Sequence, residues 1–201
     1  MKICKVEGCN RKHVAKGYCD KHYRQVKKYG EVHRTRFTPN EIIEYEDYAE
    51  VVLYNKQCEE VARALIDLED VERVKNYKWG LISSTGYVSN STNVSLLHRF
   101  IMNCPDDMVV DHINHNKLDN RKENLRICTQ QQNNMNKKMK SNNTSGVVGV
   151  SWDKTHSKWI AHIGLNGKLI NLGYYSTKKE AIKARQEAEI EHFGEYRNTT
   201  Y

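Results

Sequence analysis

The distribution of hydrophobic and polar positions predicts short strands and helices separated by long polar stretches. Apolar runs predict strands at 49–54 and 125–128, and the two valines at 109–110 have the pattern of a strand end. Apolar residues recur at helical spacing within 64–79, so a helix is expected there. Thr-Gly at 85–86 predicts a hairpin turn.

The last third of the chain has the clearest pattern. Thr177 and Glu180 form a capping box that predicts a helix from Lys178 to Phe193. Asn-Gly at 166–167 predicts a tight hairpin just upstream. The apolar runs before this helix predict three strands, at 147–152, 158–165 and 168–175.

Composition favours several small modules over one large core. The chain has 201 residues, 38% of them hydrophobic, and a mean hydropathy of −0.80. Neither a membrane-spanning apolar run nor a signal peptide is found in the sequence. We therefore expect an intracellular, cytoplasmic protein that does not enter a membrane.

Charge indicates a polyanionic partner. The net charge is +7, but residues 1–36 carry +8 and residues 37–97 carry −6. Residues 98–140 and 141–201 carry +3 and +2, although ordinary solvated charge would also account for the last value. The expectation is that three segments face DNA and that the acidic segment faces away.

Three of the six cysteines lie near the N-terminus. Cys4, Cys9, Cys19 and His22 form the pattern C-x4-C-x9-C-x2-H, in which two pairs of ligands flank a short loop. Tetrahedral Zn²⁺ takes such ligands, and a bound metal would supply folding energy to a short, charged segment. The alternative is a basic tail with free thiols. The stretch resembles zinc-binding modules at the N-termini of phage-type nucleases.

The central stretch 109–136 concentrates residues suited to phosphodiester hydrolysis. A capping box of Thr129 and Gln132 predicts a helix from Gln130 to about Lys138, so the order is strand, loop, strand, helix. Asp111 and His112 end the first strand, and the loop is rich in Asn and Asp. Histidine is suited to act as a base near neutral pH, and carboxylate and amide oxygens bind hard cations. A polar loop with a hydrogen-bonded histidine is the alternative.

The same stretch resembles the HNH family of ββα-metal nucleases, in the form found in homing endonucleases. The resemblance lies in Asp111-His112, the Leu-Asp-Asn-Arg run at 118–121, the Asn-Leu-Arg run at 124–126 and Asn133. It implies that His112 is the general base, that Asn124 orients its imidazole, and that Asp111 and Asn133 bind Mg²⁺ or another divalent ion. His98 is either the first histidine of the family name or a packing residue.

Residues 146–195 resemble the DNA-binding domain of plant ethylene-response factors, a three-stranded antiparallel sheet backed by a helix. The matches include Gly149-Val150, Lys158-Trp159 and Leu172-Gly173. In that family sheet residues enter the major groove. One of the two sheet tryptophans is expected to fill the small core instead. The candidate DNA contacts are Trp152, Lys154, Lys158, Trp159, His162 and Lys168, with Arg121 and Arg126 from the nuclease unit.

The sequence thus predicts a modular α+β protein. Its expected parts are a zinc module at 1–30, a mixed segment at 31–95, the HNH unit at 96–140 and the sheet module at 144–197. The predicted function is metal-dependent cleavage of double-stranded DNA, by a monomer. A non-cleaving DNA-binding regulator with a degenerate nuclease fold is the main alternative, and a zinc-held protein-interaction adaptor is another.

Overall fold

The computed structural model describes residues 2–6, 9–35, 38–90, 95–137, 139, 143 and 145–198. The chain divides into two compact units, Met1–Leu97 and His98–Tyr201. Both mix helices with small antiparallel sheets, so the α+β prediction is confirmed. The segment 137–145, whose basic and then Ser/Asn-rich sequence is typical of a linker, lies mostly outside the described residues. Within the described ranges, no helix has both the length and the apolar character that crossing a bilayer requires.

The first unit begins with helix α1 (Asp20–Tyr29), which ends at Gly30 in the left-handed conformation. A three-stranded antiparallel sheet follows in the order β1-β2-β3, and a hairpin of β4 and β5 completes the unit. The short helix α2 lies between them. The bounds are β1 (Ile42–Glu44), β2 (Ala49–Tyr54), β3 (Glu60–Ile66), α2 (Val71–Val74), β4 (Trp79–Leu81) and β5 (Val88–Asn90).

The helix predicted within 64–79 is confirmed only for its middle part, Leu68 to Val74. Residues 60–66 form β3, which pairs along β2 in the register Ala49↔Ile66. Only a 3-10 turn and the four residues of α2 are helical, and residues 79–81 are already in β4. Pairing with β2 buries Ala64 and Ile66 completely, and this gain overrides a weak helical period.

Helix α3 (Leu97–Met102) crosses from the first unit into the second. Strands β6 (Val109–His112) and β7 (Leu125–Cys128) pair antiparallel, and helix α4 (Gln130–Met135) follows them. The capping box of Thr129 and Gln132 is present, but the helix is shorter than predicted and has Asn136 as its C-cap.

The rest of the second unit is a three-stranded antiparallel sheet in the order β10-β9-β8, packed on a helix as predicted. Gly149 has φ +79, and its carbonyl accepts a 2.8 Å hydrogen bond from the His162 amide. A Cβ at Gly149 would lie 2.4 Å from the His162 carbonyl oxygen, so glycine is required there. The bounds are β8 (Val150–Asp153), β9 (Lys158–Leu165), β10 (Lys168–Tyr175) and α5 (Lys178–Phe193).

Candidate nuclease centre and metal cluster

Strands β6 and β7 place Asp111 and His112 side by side at a buried strand end. In the register, Asp111 lies opposite Arg126, and His112 lies opposite Leu125. The two residues are only 6% and 5% exposed, although both are polar. Buried polar side chains need partners, so the surrounding hydrogen bonds determine what this pair can do.

The loop between the strands is held together by its own side chains. Asn124 accepts a 2.9 Å bond from the Asn114 amide and donates a 2.8 Å bond to the Asp119 carbonyl. Asp119 accepts two bonds from Arg121, at 2.8 and 2.9 Å. These bonds, led by the contact with Arg121, lower the pKa of Asp119. The loop is therefore a rigid support for His112.

His112 is in contact with Asn120 and His98. Its Nε2 lies 3.4 Å from Asn120 Oδ1, and its ring meets the His98 ring edge-to-face with centroids 4.9 Å apart. Burial lowers the pKa of His112, although Asn120 and Asp111 act in the opposite direction. Burial, helped by His112 and Arg99, lowers the pKa of His98 to about 3. Both imidazoles are thus neutral near pH 7.

The orientation of His112 differs from the sequence prediction. Asn124 was expected to hold the imidazole, but it bonds to the Asn114 amide and the Asp119 carbonyl of the loop backbone, and Asn120 makes the contact with the ring. Asn120 is completely buried. It is adjacent to Asp119 in the Leu-Asp-Asn-Arg run, which was the only sequence signal that could have identified it.

Asp111 is held by two side chains from neighbouring elements. Arg126 donates to Asp111 Oδ2 through Nε at 2.9 Å and Nη2 at 2.6 Å. Asn136 Nδ2 lies 3.2 and 3.0 Å from the two carboxylate oxygens. Arg126 also donates to the Glu195 carbonyl and lies over the Tyr196 ring at 4.8 Å. The carboxylate is therefore neutralised and fixed in position.

The asparagine that contacts Asp111 from the end of α4 is Asn136, the C-cap of the helix. Asn133 is half-buried on α4, three residues earlier, and its role as a metal ligand stays a prediction. Residues three apart lie on the same helix face, so this spacing could have indicated Asn136 from the sequence. Arg121 and Arg126, predicted to touch DNA, are both engaged in ion pairs inside the unit.

The first unit brings together the four residues of the predicted metal cluster. The ligand atoms of Cys4, Cys9, Cys19 and His22 all lie within 4.8 Å of one another. Cys4 Sγ is 3.3 Å from His22 Nδ1, and the sulfurs of Cys9 and Cys19 are 3.9 Å apart. Burial acts to raise the pKa of the Cys4 thiol, but hydrogen bonds from His22 and backbone amides outweigh it and lower the pKa to about 6. A low pKa favours the thiolate that binds metal.

The sheet residues predicted to face DNA are not all on the surface. Trp152 is 46% exposed, whereas Trp159 packs against the core formed by Val147, Val150 and Ala161. Trp159 is thus half-buried against the small core, where one of the two tryptophans was expected, and its contact with DNA stays a prediction. His162 is half-buried, and the remaining candidates, Lys154, Lys158 and Lys168, are exposed.

Comparison with known proteins agrees with this geometry. The family model described as HNH endonuclease matches residues 103–135. An uncharacterized HNH endonuclease of Acanthamoeba polyphaga mimivirus is 35% identical over 139 residues, which is 66% of this chain and 72% of that protein. Protein 3.8 of Escherichia phage T7 is 36% identical over 67 residues, covering 33% of this chain and 55% of that protein.

No solved structure matches the chain. The mimivirus relative extends the likeness well beyond the strand–loop–strand–helix segment that the family model covers. By its sequence, this chain belongs to the HNH endonuclease family.

Proposed function

We propose that this protein is a metal-dependent endonuclease that hydrolyses phosphodiester bonds in double-stranded DNA, with His112 as the general base. The observation that carries this proposal is the convergence of Asp111, His112 and Asn120, which lie in the segment that the family model matches, with Asn136, one residue beyond that segment. Hydrolysis needs a base to take a proton from water and positive charge to stabilise the phosphate and the leaving oxygen.

His112 has the protonation state that a base requires. Its lowered pKa keeps the imidazole neutral near pH 7, so it can accept a proton. The oxygen of Asn120 beside Nε2 favours the tautomer that carries its proton there. The edge of the His98 ring fixes the plane of the imidazole, which gives His98 a positioning role.

Residues around Asp111 fit a hard divalent cation. Asp111 offers carboxylate oxygens, Asn136 contacts them from the C-cap of α4, and Asn133 on α4 would supply a carboxamide oxygen. When bound, Mg²⁺ or another divalent ion would stabilise the charge that develops on the phosphate and the leaving oxygen. Arg126 neutralises Asp111, so the cation has to share or replace this ion pair.

The Cys4, Cys9, Cys19 and His22 cluster is proposed to bind one Zn²⁺ as a structural site. Its four soft and borderline ligands complete a tetrahedral set, which is typical of structural zinc. Elemental analysis of protein purified without chelator should give about one zinc per chain. Protein that is folded and free of zinc would contradict the assignment.

The C-terminal sheet is proposed to add affinity for DNA. Lys154, Lys158 and Lys168 of this module are exposed, and so is Trp152. Lysines suit phosphate contacts, which position a protein on DNA with little reading of sequence.

The decisive experiment is a plasmid-cleavage assay with Mg²⁺. Wild-type protein should cut, and His112→Ala should reduce the rate by about 100-fold or more, which is the usual contribution of a general base. DNA affinity should change little, because a base acts mainly in the transition state. His156→Ala is the matched control, since this histidine is exposed and lies in the turn between β8 and β9.

Because His112 is buried, His112→Gln and a thermal melt accompany the alanine variant. A folded His112 variant that cuts like wild type would contradict the assignment of the base. A wild-type protein that binds DNA and never cuts would favour a regulator with an inactive nuclease fold.

A further inference from the structure

A basic groove in the first unit is lined by none of the four metal-cluster residues and lies outside the nuclease centre. Its cavity measures about 430 Å³ and is lined by residues that include Arg34, Tyr54, Lys56 and Lys78. The Arg34 guanidinium lies 3.6 Å from the centre of the Tyr54 ring, and Lys78 Nζ lies 5.7 Å from the same ring. Two cations therefore converge on one aromatic wall.

The cations of this groove differ from the others in the acidic segment. Residues 37–97 contain five Lys and Arg, and three of them, Arg63, Arg73 and Lys75, are in ion pairs. The other two are Lys56 and Lys78, which both line the groove. The net charge of −6 for this segment thus conceals a local positive site.

Within the described part of the chain, no carboxylate pairs with Arg34 or Lys78. Lys78 Nζ donates a 2.6 Å bond to the Thr38 carbonyl, and Arg34 Nη1 donates a 2.8 Å bond to the Pro39 carbonyl. The nearby Glu41 carboxylate accepts a bond from the Tyr54 hydroxyl. Burial, and then the charge of Arg34, lower the pKa of Lys78, so an anion placed between them would relieve a repulsion.

We propose that this groove binds a phosphate group of the DNA backbone. A guanidinium stacked on an aromatic ring keeps its donor edge available for the paired oxygens of a phosphate. A second cavity of about 360 Å³ shares Arg34 and is also lined by Arg11 and Lys21, so the positive surface continues toward the metal cluster. This phosphate site rests on the proposed function in one respect: the proposed nuclease activity identifies the bound polyanion as DNA.

The test measures affinity of the full chain for a short DNA duplex over a series of salt concentrations, without added Mg²⁺. Arg34→Gln and Lys78→Gln should each weaken binding by about 5- to 10-fold at 0.1 M salt. The slope of log K against log salt should become shallower by about 0.9 per lost phosphate contact. Lys75→Gln is the matched control, because Lys75 is exposed in the same unit and pairs with Glu72.

Lys56→Gln protects the test against misfolding, because Lys56 is exposed and its replacement leaves the core intact. Wild-type affinity in all three groove variants would overturn the proposal, as would an equal loss in Lys75→Gln. The proposal would also be overturned if the groove variants bound the duplex as tightly as wild type but lost affinity for an acidic peptide. If the groove variants lose DNA affinity but the wild-type protein never cuts, the phosphate site is supported and the proposed nuclease activity is refuted. If the wild-type protein cuts and the groove variants keep full affinity, the nuclease activity is supported and the phosphate site is refuted.

Discussion

At the scale of single residues, the nuclease centre depends on which asparagine does which task. Asn120 touches the His112 ring, and Asn124 ties the loop to itself. Both are buried, so both substitutions will cost stability, but only one removes a contact with the proposed base. Rate and stability should therefore separate the two roles.

We predict that Asn120→Ala lowers the DNA cleavage rate by about 10- to 100-fold at unchanged DNA affinity. This is the effect seen when partners that orient metal-bound histidines are removed. Asn124→Ala should act mainly on stability, because it leaves the part-buried amide of Asn114 without its acceptor. Single-turnover cleavage and thermal melts measure the two effects. If Asn124→Ala lowered the cleavage rate more than Asn120→Ala did, in proteins folded to the same extent, Asn124 and not Asn120 would be the residue that orients His112.

His98 gives a prediction for pH. Its pKa of about 3 lies below the value of 6.5 for an unfolded histidine, so between these values only the unfolded chain binds the proton. The free energy of unfolding should therefore fall as pH falls below 6.5, by up to about 1.4 kcal/mol per pH unit from this group. In His98→Gln the decline between pH 7 and 5 should be shallower. Urea titrations at each pH measure it, and equal slopes in both proteins would contradict the assignment.

At the scale of elements, the short helix α4 leads to its C-cap Asn136, which contacts Asp111. Its six residues are too few to be stable alone, so its capping box and its packing must maintain it. Thr129 Oγ1 accepts a 3.2 Å bond from the Gln132 amide, and Gln132 Oε1 accepts a 2.8 Å bond from the Thr129 amide. Helix α5 has an equivalent box at Thr177 and Glu180.

Thr129→Ala should therefore impair cleavage, whereas Thr177→Ala should not. Each loses an N-cap worth about 1 kcal/mol of stability. Only the first loosens the element that carries Asn136 toward Asp111. The measurement is the Mg²⁺ concentration needed for half-maximal cleavage, alongside thermal melts. An equal shift in both variants would mean that global stability, and not the position of α4, sets the response.

The elements also show how far the sequence can predict this fold. Hairpin and cap signals gave β9, β10 and α5 with the observed bounds, because these signals depend on a few residues nearby in sequence. The Cys and His spacing likewise gave the metal cluster. Strand β3 and the contact of Asn120 with His112 were missed, because each depends on partners brought together only by the folded chain.

At the scale of the whole molecule, the C-terminal sheet module and the nuclease unit share contacts within the second unit. Met135 packs beside the core of Ile163, Ala188 and Phe193. Gln131 donates a 2.7 Å bond to Asn166 Oδ1 in the hairpin turn. The backbone of Glu195 and the ring of Tyr196 hold Arg126, which in turn holds Asp111.

A chain truncated after Lys140 should therefore lose both stability and activity. Removal of the sheet module exposes Met135 and takes away two contacts of Arg126. We expect a lower melting temperature and a cleavage rate that remains reduced at saturating protein. Tyr196→Ala in the full chain is the milder test, since it removes the ring alone. Full cleavage at saturation by the truncated chain would show that the nuclease unit is self-sufficient.

The contact of Arg126 with the segment after α5 has a consequence for how such proteins diversify. In modular protein families, DNA-binding domains are commonly assumed to be exchanged while the nuclease domain remains unchanged. Here one arginine joins the Asp111 carboxylate to residues 195 and 196, which follow helix α5 of the sheet module. A recombinant protein that keeps the sheet and α5 but changes those two residues would retain the packing of the sheet module. It would lose the contacts that hold Arg126 and, through Arg126, the position of Asp111. The natural breakpoint for domain exchange is therefore after Tyr196, or before His98, rather than in the polar stretch between the two modules.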